Sequence, residues 1–391
     1  MSNGLALHSA LTSTNRRIGL LSTYPPKVCG LATFAAALEN ELKRAGHRVD
    51  VVRIDDGSDI SLASRTVAAE LINGVPASIR NAAAVLSRCD VAIIQHEYGI
   101  YGGVDGGEVL HLLEALEVPT IVVLHSVPVA PTPNQRSILA SIGERADRVV
   151  VMTERGKGRL TATYPVDTTK VVVIPHGAAR PGHDHRVDRI AGLAPQLLTW
   201  GLLGPGKGIE HAIDALALLR DLRPLPRYTV AGVTHPKVLA RFGDQYRQSL
   251  IQRARAAGVA DSVVFDDTYR NVAELTRFVA SSSVVVLPYD SRDQVTSGVL
   301  VDAIAAGRPV IATAFPHALE LLSSGAGVVV PHADPVALAG AIRSVLSDRG
   351  RLSSMAAEAR RLAPSLSWSA VAAQYVLLSE ELVRLGEPIA R

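Results

Sequence analysis

One repeated pattern limits what this chain can fold into. Short runs rich in Val and Ile recur from end to end, separated by stretches of helical periodicity. In the first half the runs fall near residues 17–23, 48–54, 91–95, 120–125, 148–153 and 170–174, with helices between them, notably over 31–45 and 77–87. These runs are apolar throughout rather than at every second residue. Such strands are covered on both faces, and helical crossovers make them parallel. The pattern lapses where Pro181, Gly182, His183, Asp184, His185 and Gly192 follow one another without periodicity. It resumes with strands near 196–201, 228–233, 262–265, 283–287, 309–313 and 327–330, a helix over 209–219, and closing helices over 335–347, 352–362 and 368–385.

The expected fold is α/β, with two doubly wound Rossmann-like domains. The first covers residues 1–180, a linker 181–195, and the second 196–365. Ligands of such sheets bind outside the carboxyl ends of the strands, so a cleft between the domains is the expected site.

Composition narrows the class. The chain has 391 residues, 48% of them apolar, and a net charge of only +3 from 40 basic and 37 acidic side chains. No basic stripe interleaved with aromatics is present, which argues against a nucleic-acid partner. No uninterrupted apolar run is long enough to span a membrane, and no strongly basic amphipathic helix suggests stable membrane anchoring. Residues 1–15 read as a loose tail rather than a signal peptide, since Arg16 and Arg17 follow the weak apolar stretch. A cytoplasmic location is expected, with an oligomer possible. Cys29 and Cys89 lack metal-ligand spacing and read as buried free thiols.

The richest stretch runs from Asp293 to Thr313. A loop leads through Thr296, Ser297 and Gly298 into an apolar helix of about two and a half turns that stops at Gly307. Hydroxyl residues and glycine at a helix start leave N–H groups pointing outward, where the helix dipole adds about half a positive charge. That is a seat for phosphate. Asp302 lies too far in to cap the helix, and sugar hydroxyls would suit its carboxylate.

Other candidates stand at strand ends. The turn Gly201-Leu202-Leu203-Gly204-Pro205-Gly206-Lys207-Gly208 follows a strand and opens a helix. It fits neither the phosphate-loop nor the dinucleotide pattern. Lys207 and the Thr296 helix start together suggest a diphosphate, with a point charge on one side and fixed amide donors on the other. Gly30, after Tyr24-Pro25-Pro26-Lys27, begins a helix where backbone can approach a ligand closely. His125 ends a strand, as do His96, Glu97 and Tyr98, which read as an acceptor-lining loop. His176 reads as structural. His183-Asp184-His185 and the pairs Asp55-Asp56 and Asp266-Asp267 lack the company a transition metal needs, so no metal is assigned. No elbow or Cys–His pair marks a protein nucleophile.

These residues resemble the retaining nucleotide-sugar glycosyltransferases of family four, which have the GT-B fold. The matching stretches are Cys29-Gly30-Leu31-Ala32-Thr33-Phe34, His125, Val173-Ile174-Pro175-His176-Gly177, Gly201 through Gly208, Pro288-Tyr289, and Asp302 through Val310. The helix around Trp368 resembles the family's C-terminal helix, which crosses back onto the first domain, placing 366–391 with it. The family carries two glutamates eight positions apart; here Gln294 and Asp302 stand in those places. Leu202 replaces a frequent arginine.

The resemblance implies a reaction: hexosyl transfer from a nucleoside diphosphate sugar to a saccharide hydroxyl, with retention and without a required metal or other cofactor. GDP-mannose is the expected donor, then UDP-glucose. Asp302 would hold the ribose hydroxyls, Gln294 or Asp293 the sugar, and His125 the sugar near its sixth carbon. Gly30 would face the donor phosphates or the acceptor. Lys207, with Thr296, Ser297 and Gly298, would stabilise the leaving diphosphate. Competing readings are a sugar-nucleotide 2-epimerase, a nicotinamide-dependent oxidoreductase and a non-catalytic sugar-nucleotide-binding protein.

Overall fold

The structure, a computed structural model, describes residues 15–27, 29–55, 66–181 and 194–386. Most of the anticipated linker, residues 182–193 with His183, Asp184 and His185, lies outside the described residues, as does Asp56.

Two parallel sheets carry the chain. The first contains β1 (Arg17–Ser22), β2 (Arg48–Asp55), β3 (Val67–Ile72), β4 (Val91–His96), β5 (Thr120–Leu124), β6 (Arg148–Val151) and β7 (Val171–Val173), in the order β3-β2-β1-β4-β5-β6-β7. The register pairs Ile18 with both Val49 and Val91, and Leu20 with both Val51 and Ile93. All six side chains are buried, as an apolar run flanked by parallel neighbours requires.

The second sheet contains β8 (Gln196–Trp200), β9 (Arg227–Ala231), β10 (Val263–Asp266), β11 (Val284–Leu287), β12 (Val310–Thr313) and β13 (Gly327–Val330), in the order β10-β9-β8-β11-β12-β13. Leu197, Val230, Val286 and Ile311 join one apolar cluster with the helices Ile209–Ala217 and Pro335–Ser347. On the other face Leu198, Val285 and Val310 pack with Gly298–Ala305.

In each sheet the chain winds outward from one central strand and then returns to that strand's other side. The reversal lies between β1 and β4 in the first sheet, and between β8 and β11 in the second. At a reversal the loops leaving neighbouring strands diverge, which opens a crevice at the carboxyl ends.

Strand β3 was not expected from the sequence. Val-Ala-Ala-Glu-Leu-Ile has residues that favour helix, and the segment becomes a strand through edge pairing with β2, with a register irregularity between Val51 and Val52.

By internal packing the described chain forms two units. One runs to Val122 and includes Arg145–Asp147 and the residues from Val376 onward; the other comprises Val123–Glu144 and Arg148–Tyr375. The division passes through the first sheet and through the last helix, Trp368–Gly386.

Candidate functional site

In the first unit, two candidate segments leave the reversal between β1 and β4. The loop after β1 reaches Cys29, whose extended backbone (φ −152°) makes it the N-cap of the helix Gly30–Arg44. Its sulfur accepts the Ala32 amide at 3.4 Å and lies 3.3 Å from Thr23 Oγ. The thiol is therefore a half-exposed cap rather than the buried group expected. Cys89 is buried, and burial pushes its thiol up to about 12. A Cβ placed on Gly30 would meet no atom within 4 Å, so neither packing nor a positive φ demands glycine there.

His96 corrects an expectation. It ends β4 fully buried, and neither ring nitrogen has a hydrogen-bond partner among the described residues. Its ring meets that of Tyr98 edge-on at 5.0 Å and stacks on Tyr101 at 6.2 Å. Burial lowers its pKa to about 3, so the ring is neutral. In this conformation it supports the loop from inside and cannot touch an acceptor; half-buried Glu97 and Tyr98 remain at the surface.

In the second unit, the turn after β8 is tied to the segment after β11. Gly208 has φ +63°, and a Cβ there would lie 1.8 Å from the Pro288 carbonyl oxygen, so only glycine fits. Asp290 N donates to Gly206 O at 3.0 Å. Between the turn and this segment lies a cavity of about 420 Å³, lined by Lys207, Tyr289, Asp290, Ser291 and Gln294 together with Pro205 and Gly206. The Lys207 ammonium stands 4.6 Å from the centre of the Tyr289 ring. Burial lowers its pKa, and among the described residues no carboxylate pairs with it. Asp290 instead faces His211, at 3.2 Å.

The helix Gly298–Ala305 starts beside this cavity's Gln294. Ser297 is its N-cap and accepts the Leu300 amide at 3.3 Å. The Ser297 amide itself donates to His317 Nδ1 at 2.8 Å. This is a second correction: that amide is occupied by a side chain and is not free for phosphate. The amides of Gly298 and Val299 meet no acceptor among the described residues. A Cβ on Gly298 would lie 2.9 Å from His176 Nε2, while His176 Nδ1 bonds Gly177 O at 2.7 Å. His176 thus packs against the helix start and is held by its own turn. Burial lowers His176 to about 4 and His317 to about 3, so both are neutral and add no charge behind the helix start.

Asp302 follows one turn later. Its carboxyl is half-buried and has no partner among the described residues; burial raises its pKa from 3.8 to about 7. An acid in this setting favours ligand hydroxyls that donate to it. Gln294 is half-buried, Asp293 and the cavity rim are exposed, and Thr296 is half-buried. His125 stands half-buried at the carboxyl end of β5. The structure thus brings Lys207, Gln294 and the Gly298 helix start to the β8–β11 reversal, and Gly30, Glu97 and Tyr98 to the β1–β4 reversal. Sequence reasoning missed His317, although it follows a strand end by the same logic that marked His125.

A model of the group 1 glycosyl transferases matches residues 184–362, and a model of glycosyltransferase family 4 matches residues 28–179. The chain belongs to the family 4, group 1 glycosyltransferases. Its fold is GT-B. This family 4 chain superimposes on Anabaena HepE in complex with UDP with a TM-score of 0.75 at 18% identity, covering 94% of this chain and 100% of that one. Sucrose-phosphate synthase from Thermosynechococcus elongatus gives 0.73 at 20% identity, covering 95% and 100%. The D-inositol 3-phosphate glycosyltransferase of Jonesia denitrificans is 30% identical over 273 residues, 64% of this chain and 61% of its own length. That of Kineococcus radiotolerans is 29% identical over 261 residues, 62% and 59%. The chain spans about three fifths of the length of these curated relatives. No helix among the described residues is long and apolar enough to cross a membrane.

Proposed function

We propose that the chain transfers a hexosyl group from a nucleoside diphosphate sugar to a hydroxyl of a saccharide or sugar-like acceptor, with retention at the anomeric carbon. One observation carries this reading. The β8–β11 reversal carries a partly desolvated lysine in a cavity it shares with Gln294, and, four residues after Gln294, a helix start with two amides and an acid that, like the lysine, have no bonded partner among the described residues. Cation and amides suit a diphosphate, and the carboxyl suits ribose hydroxyls.

In this reading Lys207 and the amides of Gly298 and Val299 stabilise charge developing on the leaving diphosphate, preorganised and out of bulk water. The leaving phosphate oxygen takes the acceptor's proton, so no protein nucleophile is needed. Gln294 bonds sugar hydroxyls, His125 contacts the sugar, and Gly30 leaves room for phosphate or acceptor. The positive groups do the work a metal would otherwise do, so the reaction proceeds without one. GDP-mannose and UDP-glucose are the donors to try first, and inositol phosphates join saccharides as acceptors because the relatives' names point there.

Gln294 in place of an acid favours one alternative, a nucleotide-sugar binder without turnover. A thermal-shift panel of nucleoside diphosphates and their sugars tests the reading, since a ligand of the folded state alone raises the melting temperature with concentration. One base and sugar should stabilise the chain, and product analysis should then show transfer. A panel with no shift at millimolar ligand refutes it.

A further inference from the structure

The helix Glu154–Thr163 follows β6 and is anchored at its start by distant groups. Its N-cap Thr153 accepts the Gly156 amide at 2.9 Å and donates its hydroxyl to Val295 O at 3.0 Å. The Glu320 carboxylate accepts the amides of Glu154 and Arg155 at 2.9 and 2.8 Å. A carboxylate at a helix N-terminus is favourably placed. Further along, Arg159 Nη1 donates to Val127 O at 2.9 Å and to Asp293 O at 2.7 Å. One guanidinium nitrogen carries two N–H groups, so it can serve one carbonyl with each. Val127 lies two residues after His125, and Asp293 immediately precedes Gln294. The Tyr164 hydroxyl, at the end of the same helix, holds the adjacent Pro128 O at 2.9 Å.

We propose that Arg159 is a positioning residue, which sets the separation of the His125 loop from the Gln294 loop for sugar transfer. The inference rests on the transferase reading above. The hydrogen bonds of Arg159 go to backbone carbonyls, so it acts through the two side chains its partners precede or follow. Burial lowers its pKa while nearby Asp293 raises it, and it stays charged in any case. Among the described residues no hydrogen bond joins it to Lys207 or to the Gly298 helix start, where the proposed diphosphate would sit. Losing Arg159 should therefore affect the chemical step and leave nucleotide binding alone.

The test uses Arg159→Met, which keeps the aliphatic stem, and Arg159→Lys, which keeps a cationic donor on a shorter arm. Affinity for UDP and GDP is measured by calorimetry. Release of nucleoside diphosphate is followed from UDP-glucose or GDP-mannose, whichever the unmodified chain turns over. Misplacing a contact by about 1 Å can cost about a hundredfold, so Arg159→Met should lower kcat by about ten- to a hundredfold. Its affinity for the nucleoside diphosphate should stay near that of the parent, and Arg159→Lys should recover part of kcat. An unchanged kcat, or a loss of UDP or GDP affinity equal to the loss of kcat, overturns the positioning role while the transferase reading stands. Should Arg159→Met fail to fold, Arg159→Lys carries the same comparison. If the unmodified chain neither binds UDP or GDP nor turns over either sugar, the transferase reading falls and takes this inference with it.

Discussion

Lys207 places its ammonium 4.6 Å from the centre of the Tyr289 ring, in a cavity where no carboxylate among the described residues pairs with it. A cation held by a ring face and partly stripped of water is poised for an anion, because bringing one in restores the interaction that burial removed. Lys207→Ala should cut turnover by about a hundredfold or more, the typical effect of losing one preorganised charge at a leaving group. It should also weaken nucleoside diphosphate binding. Steady-state rates and calorimetry check both; an unchanged rate takes Lys207 out of the mechanism.

Asp302 gives a pH signature. Its folded pKa, about 7, lies above the ordinary carboxyl value, so between about pH 4 and about pH 7 the folded chain holds this proton more tightly than the unfolded one. Its contribution to stability therefore falls as pH rises through that window. Asp302→Asn has no such proton to hold. Its melting temperature relative to the parent should rise from about pH 4 to about pH 7 and then level off. The same variant should bind nucleotide sugars more weakly at pH 8. A melting difference that does not change with pH contradicts the assignment.

Gly30 separates fold from function. Its Cβ position is open and its φ is not positive, so Gly30→Ala should leave the melting temperature equal or slightly higher, as alanine suits a helix better. Gly30→Val should also fold. Both should lower transfer, valine more than alanine, if a ligand approaches the backbone there. Full activity in Gly30→Val would remove Gly30 from the site.

His317 links stability to the site. Without its Nδ1 the buried Ser297 amide loses its acceptor, a cost of about 1–3 kcal/mol. His317→Ala adds a cavity to that loss. Denaturant unfolding should show destabilisation of about 2–4 kcal/mol, and nucleotide affinity should fall with the displaced helix start. A smaller loss means that water replaces the imidazole.

The legible parts of the sequence were those whose cause is local. The apolar runs of β1, β4, β5, β8, β11 and β12 showed as strands because both faces are buried, and Lys207, Thr296 and Asp302 stood out as polar groups at strand ends or on an apolar helix. Strand β3 did not, because its pairing partner overrides its own preference. His96 read as a surface residue because a strand end says nothing about which loop folds over it; here Tyr98 and Tyr101 cover its ring. Arg159 stood beside Arg155 and Lys157 on a polar helix, and its carbonyl partners lie 32 and 134 residues away in the chain. Backbone partners leave no mark in residue type, so nothing nearby distinguished it from a solvated cation.

The most direct test of the account is a crystal structure of the chain with UDP or GDP bound. The account predicts the diphosphate against Lys207 Nζ and the amides of Gly298 and Val299, with the ribose hydroxyls on Asp302. A nucleotide bound away from the β8–β11 reversal, with Lys207 still over the Tyr289 ring and Asp302 untouched, would contradict it.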